Sequence, residues 1–291
     1  MWIRLRQIAV TTADLGRTAV DIQTVLGVEP CHIDPGVGVF GLKNTLWPVG
    51  TQFLECVTPV TEDTAAGRYQ NRRGGDTGYM VITEVDDVAA RRSHVDDLGV
   101  RVAFDMNYPD DGIVGMQLHP ADTGGAFFEM DQMTSDGAGA VGGPWWPAGK
   151  HWEPFVRTEL VSGIAAAELQ SPDPQRLAER WSQIAQIDLD SDTDGNPIVP
   201  IDNATLRFVA ETDGRGEGLG GIDVTTVDRD AVLAGARARG CYVNDSQVML
   251  AGLRVNLVDS DENSAGAHRR AEAPRLTVIP TSTPTKETRP P

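Results

Sequence analysis

The sequence predicts an α+β protein built from repeated β-α-β-β units in two halves, and three observations carry that expectation. A short strand-like run ending in Asp, followed by a helical pattern, occurs four times along the chain. Further strand-like runs follow each helical pattern, as a sheet wound from such units requires. A Gly/Pro-rich stretch, 137–147, separates the first two copies from the last two.

The first copy is the run 8–14, with a helical pattern closing at Gly27 and strand-like runs at 38–42 and 52–57. An Asp after a strand can accept hydrogen bonds from the free N–H groups that open a helix, and a Gly at the far end takes the left-handed cap. The second copy is 80–87, with a helix to Gly99 and strands at 114–118 and 126–130. The third is 165–173, with a helix through 181–184 and a strand at 204–209. The fourth is 221–228, with a helix to Gly240 and strands at 247–250 and 254–258. A third strand after each helix is allowed. The expected organisation is a domain over 1–135, a Gly/Pro/Trp linker over 136–157, a second domain over 158–261, and a polar, Pro-rich, disordered tail over 262–291.

Lys plus Arg is 25 against 42 for Asp plus Glu, a net charge of −17. That charge excludes a nucleic-acid binder, which needs a cationic face, and disfavours an anionic membrane as partner. The three cysteines, Cys31, Cys56 and Cys241, show no CxxC spacing, so neither a disulfide scaffold nor a zinc ribbon is expected. A charged start at 1–7 and the lack of a long apolar run predict a soluble, cytoplasmic protein. Two GxGxxG strings, 36–41 and 216–221, run into strands instead of opening helices, so neither reads as a dinucleotide site.

Paired units of this kind resemble the vicinal oxygen chelate superfamily, which includes glyoxalases, epimerases, extradiol dioxygenases and bleomycin-resistance proteins. The run 6–10 sits where that family writes its first strand. The run 53–59 resembles its fourth, and His119-Pro120, Gly124-Gly125 and 126–129 resemble its last. The resemblance implies tandem βαβββ modules forming two glyoxalase-like, cup-shaped halves. It also implies a divalent metal held by four cup-facing residues per half. In the first half those positions are Gln7, Glu55, Met80 and Glu129; in the second they are Ala166, Phe208, Ile222 and Asn256.

Strand alternation supports the first set, because Glu55 and Glu129 point away from the apolar neighbours that would pack under helices. Gln7, Glu55 and Glu129 offer oxygen donors. Met80 departs from the pattern, standing where glyoxalases and epimerases usually place His. An all-oxygen set suits Mg²⁺ or Mn²⁺ better than Zn²⁺, Ni²⁺ being a further candidate, and lacks the two His of an extradiol dioxygenase. The second set has a single donor, so that half is expected to be degenerate.

The function implied first is a metal-dependent lyase or isomerase acting on a small oxygenated substrate through an enediolate. Glu129 would be both ligand and proton acceptor. The alternative is a metal-free protein that sequesters an apolar or cationic small molecule in an acidic cup, with Met80, Phe53 and Phe127 as its apolar lining. His119 could serve as acid or base at the cup mouth, or bond backbone in a turn. Asn44 and Arg73 are expected on loops. Trp145, Trp146, Trp152 and Phe155 are expected to cement the two halves. A homodimer is allowed.

Overall fold

A computed structural model describes residues 1–259, and the expected tail lies outside them. The first half is one seven-stranded sheet. Its strands are β1 (Ile3–Thr11), β2 (Leu42–Val49), β3 (Gln52–Pro59), β4 (Thr77–Val85), β5 (Val102–Tyr108), β6 (Ile113–Leu118) and β7 (Phe127–Met133). They lie in the order β2-β3-β1-β4-β7-β6-β5. Its helices are α1 (Leu15–Leu26), α2 (Ala65–Arg72), α3 (Val88–Asp97) and the single turn α4 (Pro120–Thr123).

The second half has eight strands: β8 (Val161–Ser171), β9 (Asp190–Ser191), β10 (Pro197–Pro200), β11 (Thr205–Ala210), β12 (Gly218–Thr226), β13 (Tyr242–Asn244), β14 (Gln247–Leu250) and β15 (Leu253–Asp259). Their order is β13-β14-β15-β12-β8-β11-β10-β9, with helices α5 (Pro174–Ala185) and α6 (Arg229–Arg239). In each sheet two central antiparallel strands are flanked by parallel partners, so each half has internal two-fold character. The fold is α+β with two tandem cup-like halves, as the repeat predicts.

The four capping aspartates act as expected. Asp14, Asp87, Asp173 and Asp228 accept from the backbone N–H of Arg17, Ala90, Arg176 and Ala231. One local expectation fails. The run 38–42 is no strand: Pro35–Phe40 forms a 3-10 turn capped by Asp34, and Gly41 ends it in the left-handed region. The strand starts at Leu42 and runs through Pro48, which is tolerated because β2 is an edge.

Alternation along the strands sorts the side chains. Ile8, Val10, Leu54, Cys56, Val81, Phe128 and Met130 share one apolar core with α1, α5, α6 and the corresponding face of the second sheet. The two sheets therefore back onto a common layer of helices. Helix α1 crosses α6 so closely that a Cβ at Gly235 would come within 2.6 Å of the Thr24 carbonyl oxygen. On α3, Arg91 donates to the Ala185 carbonyl and His94 bonds the Gln183 carbonyl of α5 at 2.8 Å. On α5, the fully buried Trp181 stacks on Phe128 of the first sheet at 4.5 Å and meets Phe208 of the second edge-on at 6.2 Å.

Trp181 thus joins both halves in one core. Trp181→Ala should lower stability by about 3–5 kcal/mol, the usual cost of deleting a buried large aromatic. Calorimetry should still show one cooperative transition, shifted down for both halves; two separated transitions would show that the halves unfold independently.

Candidate functional site

The other face of the first sheet forms a cup. In register, Gln7 lies beside Phe53 and Ala9 beside Glu55 on β1 and β3. On β4 and β7, Met80 lies beside Phe127 and Ile82 beside Glu129. The internal two-fold therefore relates Gln7 to Met80 and Glu55 to Glu129. All four are buried.

Glu55 is held by amides. The Gln7 side-chain amide donates to Oε2 at 2.8 Å and the Asn44 amide donates to Oε1 at 2.6 Å. The Gln7 oxygen in turn accepts the Trp145 indole N–H at 2.8 Å. Burial pushes the Glu55 carboxyl up to about 7, and its two amide donors oppose that rise. Asn44 was expected on a loop. It lies instead on β2, opposite Val57 on β3, and is buried. The signal missed was the strand itself, obscured by Pro48 and by the Gly-rich run before it.

Across the cup, Glu129 is also pushed up to about 7, first by burial and then by the charge of Glu55. Gln117 lies opposite it on β6. Its Oε2 has no hydrogen-bond partner. Two residues along, Asp131 is fully buried with its carboxyl against that of Glu129, between Glu84 on β4 and Gly115 on β6. Burial and the neighbouring Glu129 push its carboxyl well above the usual range. Glu84 itself is neutralised by Arg6 at 2.8 Å.

The walls are aromatic. Tyr69, Tyr79 and Phe127 form a chain of edge-to-face contacts at 5.3 and 5.1 Å. Phe53 meets Trp152 edge-on at 5.0 Å. Trp145 and Trp152 belong to the apolar cluster of this cup, with Met80, Ala9 and Ile82, and Trp146 packs against it. The tryptophans do not cement the halves: the segment that carries them folds back across the first cup. The reason lies in the sheet's polar face, where Gln7, Arg4 and Arg6 offer it bonding partners. The contact between halves falls instead to residues such as Arg73, whose guanidinium donates to the carbonyls of Arg215, Gly216 and Glu217. His119 caps α4, its Nδ1 accepting from the Ala121 N–H at 3.1 Å.

The second cup is filled by ions. Arg207 bridges Glu168 and Asp223, and Arg254 bridges Glu168 and Asp213. Asn256 donates to Asp223 at 2.8 Å. Phe208 and Ile222, expected to face this cup, belong to the helix-side core. Their strands are displaced by one residue from the expected register, and in a strand one residue exchanges the two faces.

No known family profile matches the chain, and no curated protein does. Solved structures do. A hypothetical protein from Staphylococcus aureus matches with a TM-score of 0.58 at 12% identity, covering 89% of this chain and 100% of its own. A variant of 4-hydroxymandelate synthase from Streptomyces coelicolor matches with a TM-score of 0.58 at 14% identity, covering 81% and 75%. The Mn(II)-bound glyoxalase from Novosphingobium aromaticivorans matches with a TM-score of 0.57 at 13% identity, covering 88% and 81%. The chain shares its two-part fold with these structures. Fold alone leaves the chemistry to the site.

The resemblance read from the sequence implies a divalent metal, and the donors of the first cup bear on whether one fits. A hard cation needs several anionic or carbonyl oxygens turned to one point. Here Gln7 turns its nitrogen to Glu55 and engages its oxygen with Trp145, while both Glu55 oxygens accept amides. Met80 brings a thioether. Of the four corners only Glu129 presents an unpartnered oxygen. Among the described residues no three His, Cys, Asp or Glu side chains converge as a metal site. The arrangement does not fit a divalent metal.

The raised carboxyls make stability depend on pH. Glu55 and Glu129 have an ordinary value of 4.5 and lie at about 7 in the fold. Between those values the folded chain holds more protons than the unfolded one, so these two groups make stability fall as pH rises, and their contribution levels off above about 7. Glu129→Gln should flatten part of that slope and raise the melting temperature at pH 8, because it removes half of a like-charge pair. Glu55→Gln should lower it, since one of the two acceptor oxygens becomes an NH2 group facing the amide N–H of Gln7 or Asn44; the loss should be about 1–3 kcal/mol. Thermal melts from about pH 4.5 to 8.5 test both signs.

Proposed function

We propose that the first half is a metal-free cup that binds a small organic cation with an apolar or aromatic body. The observation that carries this reading is the amide cradle of Glu55: Gln7 and Asn44 occupy both carboxylate oxygens and hold the group in place as a fixed acceptor of positive charge. Glu129 supplies a second carboxylate across the cup, with a free oxygen. Phe53, Tyr79, Phe127 and Trp145 supply ring surface around them. A cation over such rings is worth about 2 kcal/mol or more once both are desolvated. An incoming cation also favours the ionised form of both carboxyls, so binding should release protons below pH 7. The overall charge of −17 draws cations toward the protein at long range.

One observation favours a second reading, a metal-dependent lyase or isomerase acting on a small oxygenated substrate. It is that Gln7, Glu55 and Glu129 share one cup; a metal there would require Gln7 and Glu55 to exchange their present hydrogen bonds for the ion.

Calorimetry on protein purified without chelator or immobilised-metal resin separates the two. Benzyltrimethylammonium should bind at pH 8, and benzyl alcohol, its neutral counterpart, should not. Glu129→Gln, or a shift to pH 5.5, should each weaken the cation by about tenfold, equivalent to ~1.4 kcal/mol. No binding of the cation, together with a Mn²⁺-dependent rise in melting temperature that Glu129→Gln abolishes, would restore the metal reading.

A further inference from the structure

We infer that residues 137–156 form a lid over the first cup, latched by Trp145, which must swing out before a ligand can reach Glu55 and Glu129. The inference takes the first cup as the binding site, and the lid's opening can be measured without any ligand.

The segment is attached in an unusual way for something so central. Its backbone hydrogen bonds close local turns: Ala138 to Ser135, Ala140 to Gly137, Gly143 to Ala140, Ala148 to Trp145 and Phe155 to Trp152. Its ties to the sheet run through side chains. Arg4 donates to the Gly139 carbonyl at 2.8 Å, Arg6 donates to the Gly143 carbonyl at 3.0 Å, and Trp145 donates to Gln7 at 2.8 Å. Trp152 rests on Phe53, and Trp146 stacks on Tyr108 at 5.9 Å.

Releasing these contacts breaks no sheet ladder. The two freed carbonyls meet water, and Arg6 keeps Glu84. Opening exposes Trp145, Ala148 and Trp152 but leaves the sheet paired, so it costs less than global unfolding. Gly137, Gly139, Gly142 and Gly149 all have positive φ, which allows the chain to bend there without side-chain strain. A cleft of about 330 Å³, lined in part by Ala140, Gly142, Lys150 and Trp152, leaves the segment incompletely packed against itself.

The latch also touches the acid. Trp145 holds the Gln7 oxygen, and the same Gln7 amide holds Glu55. When Trp145 leaves, Gln7 loses the partner that fixes its rotamer, and the space vacated is bounded by Gln7 and the Arg6 guanidinium, which lies 4.9 Å from the indole ring. A ligand with a flat ring would take the place of the indole.

A disulfide can lock the lid. A Cβ at Gly142 would lie 3.7 Å from Thr51 Cβ, on the exposed turn between β2 and β3. That separation falls within the ~3.5–4.5 Å that disulfides span. The test uses the full chain carrying Thr51→Cys and Gly142→Cys with Cys31→Ser, and follows deuterium exchange at the Trp145 indole N–H by NMR. In the reduced protein the indole should exchange about tenfold or more faster than the Ile8 backbone amide in β1, the sign of a local opening. Oxidation should slow it by about tenfold or more. In the unmodified chain, indole exchange should depend weakly on urea while the Ile8 amide depends steeply, which tests the opening even where the disulfide disturbs folding.

An indole that exchanges at the Ile8 rate in every form overturns the lid. A lid that opens in a protein that does not bind benzyltrimethylammonium leaves the lid standing and removes the cation-binding reading. Slower association of that cation with the oxidised form supports both.

Discussion

The arrangement of this protein depends on where its two sheets put their apolar faces. Each sheet is too strongly amphipathic to stand alone, and both turn the same kind of surface toward α1, α3, α5 and α6. Sharing one helical layer lets each half cover the other's apolar back. The polar faces are then forced outward, away from one another. That single constraint creates two cups and determines which residues of every strand can take part in chemistry.

The two cups resolve the burden of polar groups differently. In the second, Arg207 and Arg254 sit among Glu168, Asp213 and Asp223, so charge is cancelled by charge inside the chain. In the first, Glu55 is held by neutral amides, and Glu129 and Asp131 face each other while the nearby Arg6 is engaged by Glu84. Amides orient a carboxylate without neutralising it. The first cup thus keeps an unbalanced demand for positive charge, while the second has none left.

Much of the fold was legible in the sequence because its signals are local. Four Asp residues cap four helices, and glycines close them at Gly27 and Gly240. The faces of Glu55, Cys56, Phe128 and Glu129 followed from alternation alone. What escaped depended on contacts between distant segments. Asn44 reaches Glu55 only because β2 pairs with β3 in a register set by the turn at Gly50 and Thr51. Trp145 reaches Gln7 only because a segment that reads as a linker folds back over the sheet. Ile222 was misplaced because a bulge on β12 shifts its register, and no hydrophobic period records a bulge. Phe208 lies on β11, which pairs with β8 without a bulge; there the neighbouring Arg207 takes the cup face.

The close crossing of α1 and α6 at Gly235 has a mechanical consequence. With backbone against backbone at that point, and Trp181 wedged between the sheets, the halves cannot hinge or slide without unpacking the whole middle layer. Many two-lobed proteins capture ligands by closing one lobe on the other. Here the middle layer is rigid, so gating of the first cup has to be carried by thin, glycine-jointed segments at the surface.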